Sequence, residues 1–455
     1  MPHNPIQHQN HKYKYLYLAG VLFSLGLILM AVLLDDPKNI LPGLMIILSS
    51  QDVLITDYIA LAGPGAAFVN AGLVTLLSLG LKWLTDEPHN GSDIVDIGLM
   101  AGFALFGKNI LNIWPIILGA FLFTKLKREP FSKFVSVALL ATSLSPLVSF
   151  AGLSTEWGSP VLGFLVGVAI GFVVVPLSIY TYRIQNGMNL YNMGFACGLL
   201  AMVIVPLFAA VNRSPEKANY WATGYNLPFG LMLAVLCAAL ILAGSLYGKK
   251  EAWKEYFHLV KRMSGRSPSD YLRMFGPGPT LINMGINGAI STALILLTGG
   301  DLNGPTVGCI FTVIGFSATG KHIRNILPIM AGVLLGSVVF HFSINDPAVQ
   351  IAALLCTTLA PISGVFGWPF GILAGFLHSA LVLEAGSVAE GVNLYNNGFS
   401  GGLLAIVLYP VISSLVYHRR AVLQDKEYMD VFTNEASLSP EDEEKNHSKD
   451  IDMPF

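Results

Sequence analysis

Charged residues are scarce in this 455-residue chain, since Asp, Glu, Lys and Arg together make up only 12% of it. Globular proteins carry about 25% of such residues, so a chain of several water-exposed domains is excluded. The formal net charge of −2 and the lack of a basic stripe outside one loop give no support to nucleic-acid binding. We therefore expect no nucleic-acid partner.

Cysteine and enzyme motifs are also rare or missing. The four cysteines stand singly inside apolar segments and never in a CxxC pattern, so we expect neither disulfides nor a zinc site. The sequence has no HExxH, GxSxG, P-loop or GxGxxG motif in a strand–helix context. We expect no enzyme, no catalytic residue, no metal and no bound cofactor.

Apolar residues, in contrast, make up 53% of the chain and occur in repeated runs of about 20 residues, the length that crosses a bilayer. This pattern predicts an all-α polytopic protein of the plasma membrane, surrounded by lipid. The first apolar run, 16–34, lacks an evident cleavage site, and we interpret it as a retained helix and not a signal peptide. The polar ends of the chain have the composition of solvated, disordered tails.

The chain contains an internal duplication. Residues 57–119 align without a gap with residues 270–332, and NGMNLYNMGFACGLLAMVIVP recurs as EGVNLYNNGFSGGLLAIVLYP. Apolar composition alone would not keep Gly, Asn, Lys and Pro in register, so the signal is strong. We divide the chain into an N-terminal tail (1–14), a first transmembrane helix with its connector (15–51), repeat 1 (52–212), a linking helix with a basic loop (213–264), repeat 2 (265–417) and a charged C-terminal tail (418–455).

The few basic residues predict that the two repeats have opposite orientations. The loop 125–133 of repeat 1 contains four Lys or Arg residues, whereas its counterpart 341–347 contains none. Repeat 1 is entered through Asp52 and Asp57, but repeat 2 is entered through a cluster of Lys and Arg. Because basic loops favour the cytoplasmic side, we expect two inverted repeats, ten crossings and cytoplasmic termini.

Two further apolar segments, 94–125 and 307–339, must each enter and leave the membrane by the same face for that count to hold. Each has two halves separated by Gly107 or Gly320, and a half of about 14 residues rises only ~21 Å, too short to span the bilayer. We interpret both segments as re-entrant helical hairpins. One long kinked span in each repeat is the alternative.

Each hairpin has a lysine at its midpoint, Lys108 or Lys321, followed by Asn112 or Asn325. A lysine at membrane depth is costly and indicates a functional site, and a neighbouring helix N-terminus favours an anion. We predict that these four residues bind substrate. Two alternatives stay open: the lysines reach the lipid headgroups, or each pairs with a carboxylate such as Asp96.

Two other polar motifs are repeated. The motif N-x-Y-N-x-G-F predicts an unwound segment that binds an ion or the substrate, and an interfacial helix cap is the alternative. Asn70 and Asn283 follow the two Gly-Pro-Gly sequences and are further candidates for substrate binding, or else they cap backbone groups. The motif residues that we predict to bind ion or substrate are Asn189, Tyr191, Asn192, Asn393, Tyr395 and Asn396.

The paired G-P-G…N, G-F-x3-G-K-x3-N-x2-P and N-x-Y-N-x-G-F blocks resemble a bacterial family of duplicated membrane proteins of unknown function. This resemblance covers both repeats and implies no activity. The phrase Y-N-x-G-F-x2-G-L-L-A is also similar to the pore-helix phrase of urea transporters, from which the lysine hairpins depart. With a hairpin and an unwound helix in each half, the chain resembles dicarboxylate-type ion transporters in architecture.

These features predict a membrane transporter that moves a small anionic or polar solute by ion-coupled alternating access, with Na⁺ or H⁺ as the coupling ion. A passive channel for a small polar solute, similar to urea channels, is one alternative. A non-transporting membrane scaffold or membrane enzyme is another. A second copy of the chain, in a homo-oligomer, is a further candidate partner.

Overall fold

The computed structural model describes residues 15–85, 90–154, 157–215 and 218–416, so the predicted tails lie outside the described residues. Helices make up most of the described chain, and one isolated bridge joins Thr56 and Tyr220. Ten helical segments are long and apolar enough to cross a membrane. The prediction of an all-α polytopic fold with about ten transmembrane helices is therefore confirmed.

The described residues of the first half form ten α-helices. They are α1 (Tyr15–Leu34), α2 (Pro37–Leu48), α3 (Tyr58–Ala62), α4 (Pro64–Thr85), α5 (Gly91–Phe103), α6 (Trp114–Lys127), α7 (Val135–Ala141), α8 (Ser145–Leu153), α9 (Pro160–Ile184) and α10 (Asn192–Ala209). The helices α7 and α8 belong to one spanning segment, Phe131–Leu153. A short 3₁₀ turn, Thr142–Leu144, interrupts this segment near its middle.

The second half repeats this order with nine α-helices in the part that the structure describes. They are α11 (Asn226–Arg262), α12 (Tyr271–Phe275), α13 (Pro277–Leu297), α14 (Gly304–Phe316), α15 (Ile323–Val339), α16 (Pro347–Leu355), α17 (Ala360–Phe366), α18 (Trp368–Val388) and α19 (Asn396–Val416). The long α11 is kinked at Lys249, so its second part corresponds to α2. A 3₁₀ turn, Cys356–Leu359, again joins two short helices into one spanning segment.

Each half contains five of the ten candidate spans and one hairpin of two shorter helices. The helices α5 and α14 have 13 residues each, which gives a rise of ~20 Å and no complete crossing. An odd number of crossings brings the chain to the opposite face before the second half begins. The duplication is therefore inverted, as the distribution of basic residues predicts.

The helices that precede the predicted repeats are equivalent as well. A Cβ atom on Gly72 of α4 would lie 2.9 Å from the carbonyl oxygen of Ser24 in α1. A Cβ atom on Gly285 of α13 would lie 2.6 Å from the carbonyl oxygen of Cys237 in α11. Both contacts follow the register that aligns 57–119 with 270–332, so the structural equivalence includes α1 and α11.

The first helices of the two hairpins, α5 and α14, pack directly against each other. Each begins with an asparagine capping box, at Asn90 and Asn303. A Cβ atom on Gly102 would overlap the carbonyl oxygen of Gly308, and the reverse is also true, so small residues permit this close approach. This packing holds the two hairpins side by side at the junction between the halves.

Candidate functional site

The hairpin tips reach the junction between the two halves of the molecule. The chain turns at Gly107 and Gly320, whose φ angles of 150° and 137° favour glycine. A Cβ atom on Gly107 would overlap the side chain of Leu394, and one on Gly320 would lie 2.9 Å from the side chain of Leu190. Each tip therefore packs against the N-x-Y-N-x-G-F motif of the opposite half.

The two lysines of the tips are fully buried and point to the opposite half. Lys108 Nζ donates a hydrogen bond to Tyr395 Oη at 2.5 Å. Lys321 Nζ donates to Tyr191 Oη and, at 2.7 Å, to Thr357 Oγ1. Two lysine–tyrosine pairs thus connect the halves in reciprocal directions, although the tyrosines lie 287 and 130 residues away in sequence.

Neither tip lysine forms an ion pair within the part of the chain that the structure describes. Asp96, the carboxylate considered above as a partner, pairs with Lys82 at 2.5 Å instead. A buried ammonium group without a counter-ion is destabilised by several kcal/mol because it has lost its hydration. An anion bound nearby would offset that cost, so the geometry favours anion binding whenever these lysines are charged.

The helices α10 and α19 begin inside the N-x-Y-N-x-G-F motifs, at Asn192 and Asn396, so the residues just before them are not helical. The two helices cross where Gly194 meets Gly398. A Cβ atom on either glycine would lie 3.0 to 3.1 Å from the Cα atom of the other. This crossing relates equivalent residues of the two halves and therefore marks a local pseudo-twofold axis.

Asn189 and Asn393 bind across this axis. Their Nδ2 atoms donate to carbonyl oxygens at the crossing point of the opposite half, at 3.0 and 3.2 Å. Their Oδ1 atoms accept from hydroxyl groups of the 3₁₀ turns, Asn189 from Thr358 and Asn393 from Ser143. Sequence reasoning missed these hydroxyls, although the paired phrases T-S-L-x-P and T-T-L-x-P were a readable signal.

Four other predicted site residues hold the hairpin tips. Asn70 Nδ2 donates to two carbonyl oxygens of the first tip, at 2.7 and 2.8 Å, and Asn283 Nδ2 donates to two of the second, both at 2.7 Å. Asn112 and Asn325 each donate to the carbonyl oxygen of their tip glycine, at 3.1 and 2.8 Å. All four bind backbone, and their contact with substrate stays a prediction.

A cavity of about 30 Å³ lies at the crossing of α10 and α19. It is lined by both motif tyrosines and by Phe103 and Phe316, and its volume suffices for one or two water molecules. Two larger cavities share lining residues with it. One, of about 600 Å³, is lined by Asn192, and the other, of about 200 Å³, is lined by Asn393 and Asn396.

The two larger cavities are equivalent under the duplication but differ about threefold in volume. Ser178 and Asn192 line the larger one, and their counterparts Val382 and Asn396 line the smaller one. The lining of the larger cavity includes four charged side chains, whereas that of the smaller one includes none. Equivalent surfaces therefore enclose about three times more space in one half than in the other.

The fold and the site define a helical membrane protein built from two inverted halves that share one polar centre. The chain belongs to a family described as "Protein of unknown function (DUF1576)", whose model matches residues 36–210 and 248–414. The resemblance to a duplicated family of unknown function is thereby confirmed. No curated protein matches the chain, and no solved structure does either.

Proposed function

We propose that this protein is a secondary transporter that moves a small anion across the plasma membrane. One observation carries the proposal: Lys108 and Lys321 are fully buried, lack a carboxylate partner in the described chain, and bind the tyrosines that line the central cavity. An anion beside Tyr191 and Tyr395 would accept hydrogen bonds from their phenol groups, which themselves accept from the two ammonium groups. In this proposal, the asparagines behind the tips position the lysines.

The unequal cavities support alternating access over a passive channel. If the two inverted halves exchange their conformations, the cavity of about 600 Å³ closes and the one of about 200 Å³ opens. A channel needs a continuous polar pathway, whereas the central cavity here has only about 30 Å³ between aromatic side chains. Asn192 and Asn396 line the two larger cavities and would meet the solute on entry or exit.

Proteoliposomes test this proposal with formate, lactate, succinate and phosphate as radiolabelled probes. We expect uptake of at least one probe, and we expect Lys108→Gln and Lys321→Gln each to lower it about 10- to 100-fold. Losing one hydrogen bond to a charged group costs about 1.5–3 kcal/mol. A free-energy change of this size corresponds to the expected decrease in uptake. Lys125→Gln removes an exposed lysine of α6 and serves as the matched control, with wild-type uptake.

Two results would count against the proposal. If both folded glutamine variants transport at the wild-type rate, the lysines do not bind the solute. If flux is downhill only, does not saturate and shows no exchange of labelled for unlabelled anion, the protein is a channel. A thermal-shift screen with the same probes adds a readout without flux, because a ligand at about 100 times its Kd stabilises the folded state by about 2.7 kcal/mol.

A further inference from the structure

The helices α4 and α5 carry a buried charged cluster outside the central site. Lys82 Nζ lies 2.6 Å from Asp93 Oδ1 and 2.5 Å from Asp96 Oδ2, and all three side chains are less than 10% exposed. Ser136 of α7 donates to the same Asp96 oxygen at 2.6 Å. Among the described residues, the cluster contains two carboxylates and one ammonium group, and it joins three helices of the first half.

The second half has no equivalent of this cluster. The residues aligned with Lys82, Asp93 and Asp96 are uncharged: Ile295, Thr306 and Cys309. Asp93 and its counterpart both complete the capping box of their helices, so capping does not require a charge. Both halves therefore cap this helix, but only the first half has the charged cluster. Helix capping does not explain why these charges are present.

Asp96 connects the cluster to the larger cavity. Asp96 and Ser136 both contribute to the lining of the cavity of about 600 Å³, although Asp96 is only 2% exposed. Its Oδ2 atom accepts from Lys82 and Ser136, whereas its Oδ1 atom has no hydrogen-bond partner among the residues that the structure describes. A buried carboxylate oxygen without a donor beside a polar cavity is an acceptor for a cation that enters from that cavity.

We propose that Asp96 binds the coupling proton of the transporter, a step that rests on the proposed function. A hydronium ion in the larger cavity transfers its proton to Asp96 Oδ1 and leaves as water, and the Asp96 carboxylate becomes a neutral carboxylic acid. Lys82 then keeps Asp93 as its charged partner, and the contact that joins α4, α5 and α7 weakens. The halves can then exchange, and the proton is released to water on the other side.

Asp93 and Asp270 are the other carboxylates near Asp96 in the described chain; Asp93 pairs with Lys82, and Asp270 accepts from Gly91 N at 3.0 Å. Of the helices packed against α5, α1 carries only Tyr15 and Tyr17, α14 only Cys309, and α7 no titratable residue. The neighbour α4 carries Lys82, and α12 carries Tyr271 and Arg273, whose Nε lies 3.5 Å from Asp270 Oδ2. Arg183 lies across the cavity. Tyrosine, cysteine and arginine side chains have ordinary pKa values above neutral pH.

The test compares wild type with Asp96→Asn in proteoliposomes under an inward proton gradient, with the four anions named above. A gradient of about two pH units can drive about a hundredfold accumulation if one proton accompanies one monoanion. We expect Asp96→Asn to lose accumulation but to keep exchange of labelled for unlabelled anion at equal pH. Asp346→Asn, which neutralises an exposed aspartate of the second half, should accumulate like wild type.

Each outcome separates this proposal from the proposed function. Accumulation by Asp96→Asn at the wild-type level overturns the proton site, and so does accumulation driven by a Na⁺ gradient alone. If wild type moves no anion, the proposed function fails, and proton uptake by the detergent-solubilised protein then tests the site. We expect about one proton fewer for Asp96→Asn, or for Lys82→Gln/Asp96→Asn if the single variant does not fold; equal uptake overturns the site.

Discussion

The two halves of the molecule agree in the contacts that they make across their junction and differ in the features that each has for itself. Each half donates a lysine to a tyrosine of the other, and each uses a motif asparagine to bind the crossing helix. Cavity volume and buried charge, by contrast, differ. The shared contacts build one polar centre, and the unshared features distinguish the two larger cavities beside it.

The clearest local difference lies behind the hairpin tips. Asp52 accepts hydrogen bonds from four side chains, namely Tyr58, Asn109, Asn112 and Ser149. The equivalent position in the second half is Gly265, where a Cβ atom would overlap the carbonyl oxygen of Gly320. One tip is therefore held by a buried carboxylate and the other by direct backbone packing, which makes the halves unequal in their response to pH.

The largest expected effect follows from Asp52, which lies in the connector between α2 and α3. Burial raises its pKa from 3.8 to about 7. Between these values the folded state binds a proton that the unfolded state does not hold, so the free energy of unfolding decreases as pH rises from about 4 to about 7. The total decrease is about 4 kcal/mol. Thermal unfolding in detergent across this range measures it.

The variant Asp52→Asn isolates this contribution, because asparagine does not titrate. Its free energy of unfolding should change less with pH than that of wild type over the same interval. If the variant has the same pH dependence as wild type, a group other than Asp52 causes it. The two tips would then not differ in their response to pH through this carboxylate.

A second prediction concerns the crossing of α10 and α19, where the halves are alike. Gly194→Ala and Gly398→Ala should each destabilise the protein by about 1–3 kcal/mol, because the added methyl group meets backbone of the other helix. Gly80→Ala is the matched control: no atom lies within 4 Å of its added Cβ, and alanine is the better helix former. Chemical unfolding in detergent measures all three. If Gly194→Ala and Gly398→Ala lower the free energy of unfolding by clearly different amounts, the local symmetry is contradicted.

The smallest expected effect concerns access to the two cavities. Ser178 and Val382 are equivalent and each is 5% exposed, but they line the larger and the smaller cavity respectively. Ser178→Cys should react with a water-soluble thiol reagent about tenfold faster than Val382→Cys, a difference of about 1.4 kcal/mol. The four native cysteines are buried, so background labelling should be low. Equal rates would mean that both cavities open equally often.

Much of the fold was predictable because it depends on local features of the chain. Apolar length predicts the spans, and the glycines at Gly107 and Gly320 predict the hairpin turns. The 3₁₀ turns inside Phe131–Leu153 and Pro347–Phe366 were not predicted, because the apolar runs continue through them. These interruptions place hydroxyl groups at the centre, where Ser143 and Thr358 find their partners on the motif asparagines of the opposite half.

The amino-acid sequence by itself determined that the protein is helical, duplicated and inverted, since hydrophobic length, register and the placement of basic residues are properties of the chain alone. Only the tertiary structure decided that Lys108 meets Tyr395 while Asp96 pairs with Lys82, because partners of buried charges depend on where distant segments come together. The inequality of the cavities was likewise decided in three dimensions. The two cavities are lined by segments that are far apart in the sequence, and their volumes depend on how these segments pack.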